Sequence, residues 1–213
     1  YIAAQEGQLE TVQCLVKHQA DVNLATQEGA TPLYVAAAKG QLEVVQYLVK
    51  HQADVNLANN NGWTPLMIAA AKGQLGAVEY LVGYGALVNL AMNDGATPLY
   101  IAAQEGQLET VQCLVKHQAD VNLANNNGWT PLMIAAQEGQ LEVAQCLVGH
   151  GALVDQAAND GATPLYIAAQ EGQLETVQYL VEHQADVNLA MNDGATPLYI
   201  AAEKGQLEVA QYL

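Results

Sequence analysis

The chain of 213 residues contains no arginine, no serine and no phenylalanine, and it has six lysines against 22 acidic residues. Without arginine, the protein lacks the planar donor fork that makes bidentate contacts with phosphates and base edges. A net charge of −16 and a pI near 4.3 also repel nucleic acid and anionic lipid. We therefore expect neither nucleic acid nor a membrane surface as a partner.

Patterns for catalysis and membrane insertion are also scarce. The absence of serine removes the commonest hydroxyl nucleophile, and no P-loop or His-Glu-x-x-His pattern occurs. No apolar run approaches the about 18 residues that a membrane helix requires, and no leader pattern precedes the first repeat. We expect no catalytic residue, no metal, no cofactor, and an intracellular, cytoplasmic location.

Cysteine and histidine recur at fixed positions instead of clustering. The three cysteines share a position with tyrosines elsewhere, and helices of neighbouring repeats lie about 8–10 Å apart, too far for a disulfide. The five histidines stand near helix ends, where the helix dipole favours a cation-capable residue, and ligands one repeat apart cannot converge on zinc. The two series are Cys14, Cys113 and Cys146, and His18, His51, His117, His150 and His183.

The chain consists mainly of one sequence unit of 33 residues that is repeated in tandem. The tripeptide Thr-Pro-Leu occurs at this spacing and accounts for all six prolines, starting at Thr31, Thr64, Thr97, Thr130, Thr163 and Thr196. A fixed period of this size indicates a solenoid. We predict a single array over residues 1–213, with approximate repeats 1–30, 31–63, 64–96, 97–129, 130–162 and 163–195 and a partial repeat 196–213.

The sequence of each repeat predicts two short helices and a loop that leads to the next repeat. Thr31 suits the N-cap and Pro32 the first helical position, and the apolar residues after them run to Gly40. A second helix begins near Gln41, carries apolar residues on one face, and ends around His51. Because helices this short are unstable alone, each repeat must bury its face against the next.

The unit resembles the ankyrin repeat, because "TPL", "AAxxG", "LEVVxxL" and "ADVN" follow one another in the order of that family over essentially the whole chain. The resemblance implies an all-α fold, an ankyrin-repeat solenoid of stacked helix-turn-helix units with projecting β-turn or hairpin fingers. It further implies a non-catalytic scaffold for protein–protein interaction. The partner would bind a concave face made by the fingers and the exposed side of the first helices.

Two positions depart from the family pattern. The family's histidine after Thr-Pro-Leu, which ties repeats together by hydrogen bonds, is replaced by residues such as Tyr34 and Met67, so we expect packing to replace those ties. The glycine that the family favours before "ADVN" is kept at Gly85 and Gly151 only. Glutamine replaces it at Gln19, Gln52, Gln118 and Gln184. A left-handed non-glycine residue costs on the order of 1 kcal/mol, so these sites are strained or their helices end differently.

By the same resemblance, the partner-binding residues are the finger tips and the ends of the first helices. The tip residues comprise Asn60, Asn61, Asn126, Asn127, Asp94, Asp160 and Asp193, and the helix ends comprise Glu105, Glu138 and Glu171. The three glutamates and three aspartates predict an acidic trough over the C-terminal two-thirds of the chain. The alternative is an ordinary solvated polar face.

Two tryptophans complete the predicted surface. Trp63 and Trp129 lie in identical stretches, "NNNGWTPLMIAA", at a turn position that is alanine in other repeats. Tryptophan is enriched among interface hot spots, and the pair suits an extended partner. The alternative is that each ring fills space over neighbouring alanines.

The predicted partner is a protein or peptide with a basic segment. The terminal repeats lack the polar caps that end most repeat arrays, which indicates a segment of a longer array or a protein whose ends stack on copies of itself. The first alternative to the scaffold is therefore a structural, self-assembling stack or fibre that associates through its terminal repeats. The second alternative, an engineered, consensus-like array, fits the uniformity of the repeats equally well.

Overall fold

The computed structural model describes residues 1–213 as fourteen helices, arranged as alternating first and second helices of successive repeats. The chain divides into two compact units, unit 1 (Tyr1–Ala119) and unit 2 (Asp120–Leu213). Unit 1 contains α1 (Ile2–Gln5), α2 (Leu9–Lys17), α3 (Pro32–Ala38), α4 (Leu42–Lys50), α5 (Pro65–Ala71), α6 (Leu75–Gly83), α7 (Pro98–Gln104) and α8 (Leu108–Lys116). Unit 2 contains α9 (Pro131–Gln137), α10 (Leu141–Gly149), α11 (Pro164–Glu171), α12 (Leu174–Glu182), α13 (Pro197–Lys204) and α14 (Leu207–Tyr212).

The all-α fold class is confirmed. None of the fourteen helices has both the length and the apolar character needed to cross a bilayer. The division of the whole chain into one array of seven repeats stays a prediction.

The first helices begin where the Thr-Pro-Leu pattern predicts. In α3 the Thr31 hydroxyl accepts a hydrogen bond from the backbone N–H of Tyr34 at 3.1 Å, and Pro32 occupies the first helical position. The same threonine cap and proline open the five other first helices that carry the tripeptide. The second helix of this repeat, α4, ends at Lys50 with His51 as its C-cap, as the sequence predicts.

The glutamines before "ADVN" adopt the left-handed conformation. Their φ angles are +64° at Gln19, +68° at Gln52, +67° at Gln118 and +70° at Gln184. In this arrangement the N–H of Ala53 donates to the carbonyl of Leu48 at 3.0 Å, which closes the end of α4. The sites are therefore strained, and the helices do not end differently from the glycine-terminated ones.

The core of each unit lies between successive first helices and between the two helices of each repeat. In unit 1, α5 packs against α3, α6 and α7, and in unit 2, α11 packs against α9, α12 and α13. The leucines of Thr-Pro-Leu at Leu66 and Leu165 are fully buried, as are Leu81 and Leu180 of the second helices. Within each unit, a repeat therefore covers the apolar face of the next, as expected for a solenoid.

Packing does fill the position after Thr-Pro-Leu, since Met67 and Met133 are completely buried. Polar ties between repeats exist as well, at the asparagine of "ADVN", which the sequence pattern did not reveal. Asn56 donates from Nδ2 to the Gly85 carbonyl at 3.3 Å, and its Oδ1 accepts from the N–H of Leu87 at 2.9 Å. Asn122 makes the same two bonds in unit 2.

Candidate partner-binding surface

The tryptophan-bearing finger is held by its first asparagine. In unit 2, Asn125 Oδ1 accepts hydrogen bonds from the N–H groups of Asn127 at 2.9 Å and Trp129 at 3.0 Å. The N–H of Asn125 donates to the Trp129 carbonyl at 2.9 Å, which closes the base of the finger. In unit 1, Asn59 makes the same bonds to Asn61 and Trp63. The identical stretches therefore form the same local turn.

Adjacent fingers are joined by hydrogen bonds from asparagine. In unit 2, Asn159 donates from Nδ2 to the Asn126 carbonyl at 3.0 Å and from its backbone N–H to the Asn127 carbonyl at 3.1 Å. This contact requires Gly128, which has a φ of +80° and where a Cβ would lie 2.7 Å from the backbone nitrogen of Asn159. The fingers of unit 2 therefore form a connected edge.

The four asparagines predicted as binding residues divide into two roles. In unit 1, Asn60 donates from Nδ2 to the Gln27 carbonyl at 2.9 Å, so this side chain joins two fingers. Asn126 contributes its carbonyl to the equivalent bond in unit 2. Asn61 and Asn127 are exposed and contribute their backbone to the turns. Of these four residues, Asn61 and Asn127 fit a binding role better than Asn60 does.

Trp129 forms one wall of an open depression in unit 2. The depression measures about 250 Å³ and is lined by Asn127, Trp129, Asn159 and Asp160. The tryptophan itself is half-buried, whereas the equivalent Ala162 is buried. The ring therefore covers neighbouring residues and still offers part of its surface to the solvent.

The finger aspartates are exposed, and each has one carboxylate oxygen engaged within its own turn. Oδ1 accepts from the N–H two residues further on, at 3.0 Å for Asp94, 3.0 Å for Asp160 and 2.9 Å for Asp193. This bond fixes the direction of each side chain. In unit 2, it holds the Asp160 carboxylate at the edge of the depression beside Trp129.

The glutamates of the predicted trough stand at the C-terminal ends of first helices, and all are exposed. Glu105 in unit 1 and Glu138 in unit 2 are C-caps, and Glu171 is the last residue of α11. A negative charge at this end of a helix opposes the helix dipole. The equivalent positions of α3 and α5 carry Lys39 and Lys72, whose charge the dipole favours.

A further cluster in unit 2, around Tyr166, was not predicted from the sequence. Burial raises the pKa of the Tyr166 phenol, and Asp193, Glu203 and Asp160 raise it further in that order, with a smaller contribution from Tyr199. Tyr166 follows Thr-Pro-Leu, the position that the sequence assigned to packing. The only signal in the sequence is that the residue after Thr-Pro-Leu is a tyrosine, whose hydroxyl is polar.

The cysteines of the second helices form no disulfide, and the histidines bond to the ends of these helices. The three cysteines are free. Burial raises the pKa of the Cys113 thiol, with Glu79 adding and Lys116 opposing, and burial raises that of Cys146. A protonated thiol is a poor nucleophile. Each histidine places Nδ1 at 2.8 Å from the carbonyl four residues earlier, where it caps the end of its helix.

Comparison with known proteins identifies the family of the repeats. A search of curated proteins returned no match to the chain. The family described as "Ankyrin repeats (3 copies)" matches in three successive segments, residues 1–92, 85–158 and 152–213, which together cover the full sequence. The match covers the helix pairs, the threonine caps and the joined fingers over their whole length. The chain therefore belongs to the ankyrin-repeat family.

Proposed function

We propose that the chain is a non-catalytic scaffold that binds a protein or peptide with a basic segment. Ankyrin repeats are in general protein-interaction modules. The binding surface we propose is the acidic surface of unit 2, defined by Trp129, Asp160, Asp193, Glu138 and Glu171. The observation that carries the proposal is the open depression in which Trp129 and Asp160 lie side by side.

The depression combines two features that a basic side chain requires. A half-buried tryptophan offers an aromatic face, over which a lysine or arginine gains cation–π energy, and its packing holds the ring in place. The Asp160 carboxylate beside it is fixed by its bond to the Ala162 N–H. A partner residue that enters here would not need to reorganise the site, which favours affinity.

The helix-end glutamates support a binding role because they do not serve stability. Glu138 and Glu171 lie where the helix dipole favours lysine, and each costs about 0.3–1 kcal/mol relative to a favourable charge. Their exposure places the carboxylates where a partner can reach them. Charges of this kind accelerate the encounter with an oppositely charged partner more than they slow dissociation.

The test is the binding of hexa-lysine to the whole chain at low and at moderate salt. A variant with Glu138→Gln, Glu171→Gln, Asp160→Asn and Asp193→Asn removes the charges of the surface, and each asparagine retains an oxygen for the turn bond. We expect this variant to lose about tenfold or more in affinity and most of the salt dependence.

A matched control removes four charges from the same unit but from its second helices. Glu142→Gln, Glu175→Gln, Glu182→Gln and Glu208→Gln change the net charge equally at exposed positions of α10, α12 and α14. We expect the control to bind nearly as well as the parent chain. Equal losses in both variants would mean that hexa-lysine responds to net charge alone, and the proposed surface would be wrong.

Self-assembly is tested by the mass of the chain in solution over a range of concentrations. A scaffold keeps one mass, whereas an open stack of copies grows with concentration. Growth that survives neutralisation of the acidic surface would favour the stack in place of the proposed scaffold.

A further inference from the structure

The two tryptophan fingers contain the only Asn-Gly dipeptides of the chain, Asn61-Gly62 in unit 1 and Asn127-Gly128 in unit 2. In such a dipeptide the backbone nitrogen of glycine can attack the side-chain carbonyl carbon of asparagine, because glycine has no side chain to crowd the approach. Asparagine is accordingly among the thermolabile residues of proteins. Both asparagines are exposed at the tips of their fingers, so both amides are accessible to this reaction and to water.

The tip residue of a tryptophan finger is held differently from that of an alanine finger. In unit 2, Oδ1 of Asp160 accepts a hydrogen bond from the N–H of Ala162, two residues further on, at 3.0 Å. In the tryptophan finger the equivalent N–H, that of Trp129, donates instead to Oδ1 of Asn125 at 3.0 Å. The side-chain amide of Asn127 is left without a hydrogen bond within the protein, and no such bond restrains its rotation.

The contact between fingers requires the glycine that makes the reaction possible. Gly128 has a φ of +80°, and a Cβ there would lie 2.7 Å from the backbone nitrogen of Asn159. The N–H of Gly128 donates to the Asn125 carbonyl at 2.9 Å, and the Asn127 carbonyl accepts from the N–H of Asn159 at 3.1 Å. The attacking nitrogen must leave its bond to Asn125, so the reaction proceeds when the finger opens and is slower than in an unfolded chain.

We propose that Asn61 and Asn127 are sites of spontaneous deamidation, and that conversion of Asn127 to aspartate raises the affinity of unit 2 for a basic segment. The Gly128 nitrogen loses its proton and forms a bond to Cγ of Asn127, while the amide nitrogen leaves as ammonia. Water then opens the cyclic imide. Opening at one carbonyl gives aspartate, and opening at the other gives isoaspartate, which lengthens the backbone of the finger.

The aspartate product is compatible with the fold and adds to the acidic surface of unit 2. Asp94, Asp160 and Asp193 occupy the same tip position in other repeats, so the turn accepts a carboxylate there. Asn127 lines the depression beside Trp129, so its conversion adds a negative charge to a depression that Asp160 also lines. This effect on affinity rests on the proposed function, whereas the deamidation itself does not.

Peptide mapping by mass spectrometry tests the reaction in the native chain. The whole protein is incubated in mildly alkaline buffer beside a peptide with the sequence of residues 125–129, which reports the rate without the fold. We expect conversion at Asn61 and Asn127, slower than in the peptide, and much less at Asn60 and Asn126, which are also exposed but precede asparagine. Asn127→Gln is the matched control. Its longer side chain cannot close the same ring, so it should lose the conversion at this position and keep that at Asn61.

The effect on binding is measured with hexa-lysine and two variants of equal charge. Asn127→Asp should raise the affinity of the whole chain about twofold to fivefold, the effect of one exposed ion pair. Asn61→Asp adds the same charge to unit 1, where the C-cap of the helix that follows the finger is Lys72. We expect Asn61→Asp to change the affinity by less than about twofold, because screening limits the reach of an exposed charge.

The outcomes separate the modification from the proposed function. An amide that persists at Asn127 in the native chain while the peptide converts fully would overturn the deamidation site, whether or not hexa-lysine binds. Equal affinities of Asn127→Asp and Asn61→Asp would overturn the effect on the acidic surface. Failure of hexa-lysine to bind any of these chains would overturn the proposed function and the effect on affinity, but conversion at Asn127 would still establish the site.

Discussion

Unit 1 and unit 2 are built from the same repeat but differ in charge. Unit 1 has ten carboxylates and five lysines, a net charge of −5, whereas unit 2 has twelve carboxylates and one lysine, a net charge of −11. The C-cap of the helix that follows the tryptophan finger is Lys72 in unit 1 and Glu138 in unit 2. The fingers themselves, with Trp63 and Trp129, make the same turn bonds.

The comparison separates what folds the finger from what the finger can bind. Because twelve identical residues give identical turns, the turn cannot account for a difference in binding between the two tryptophans. Under the proposed function, a difference in binding comes from the surrounding charges, which are more acidic in unit 2. Unit 1 therefore serves as an internal control for the proposed function.

The largest expected effect is on the affinity for hexa-lysine. Trp129→Ala should cost about 2 kcal/mol, or roughly thirtyfold in affinity, mainly through faster dissociation, if the ring anchors a cation. Trp63→Ala should change affinity by less than about threefold. Equal effects in the two variants, measured by rates of association and dissociation, would remove the distinction between the units.

Unit 2 also contains a weaker tie between repeats, where "VNL" is replaced by Val154-Asp155-Gln156. The amide Nε2 of Gln156 donates to the Asn122 carbonyl at 3.4 Å, but its buried Oε1 has no hydrogen-bond partner. The other repeats of both units carry leucine at this position, as at Leu57 and Leu123. Gln156→Leu should raise the free energy of unfolding by about 1 kcal/mol, because removal of the unsatisfied buried oxygen outweighs loss of the long bond from Nε2. Chemical denaturation measures this, and a decrease would show that the amide serves the fold.

Asp155 replaces the bridging asparagine in the same segment. Its Oδ1 accepts from the N–H of Asp186 at 3.0 Å, but a carboxylate cannot donate the second bond that Asn56 and Asn122 make. Asp155→Asn should therefore stabilise the chain by about 0.5–1.5 kcal/mol, and the reverse change, Asn56→Asp in unit 1, should destabilise it by a similar amount. Effects of equal sign in the two variants would contradict the bridging role.

The left-handed glutamines occur in both units and should respond alike. Gln52→Gly in unit 1 and Gln184→Gly in unit 2 should each stabilise the chain by roughly 0.5–1 kcal/mol, since glycine adopts a positive φ without strain. Glycine also gains entropy in the unfolded chain, which opposes the change. Thermal unfolding of both variants measures the balance, and a lower midpoint in both would mean that the unfolded-state entropy outweighs the strain.

The parts of this structure that were predictable from the sequence are those set by local chemistry or by the period. Thr31 and Pro32 start a helix through a cap that lies within three residues, and Leu66 is buried because every repeat must cover the next. The position of Asp160 beside Trp129 was harder to predict from the sequence, because it depends on how Asn159 joins two fingers. The groups that raise the pKa of Tyr166 were not predictable either, because burial is followed by Asp193, Glu203 and Asp160, which come from other elements of the chain.

The single measurement that tests the central claim most directly is tryptophan fluorescence during titration with hexa-lysine. Trp63→Phe leaves Trp129 as the only tryptophan, and Trp129→Phe leaves Trp63, while both variants keep an aromatic ring in each finger. The account predicts a saturable change, weakened by salt, in the variant that retains Trp129, and little change in the other. An equal response from both, or a response from Trp63 alone, would contradict the claim that the acidic surface of unit 2 binds the partner.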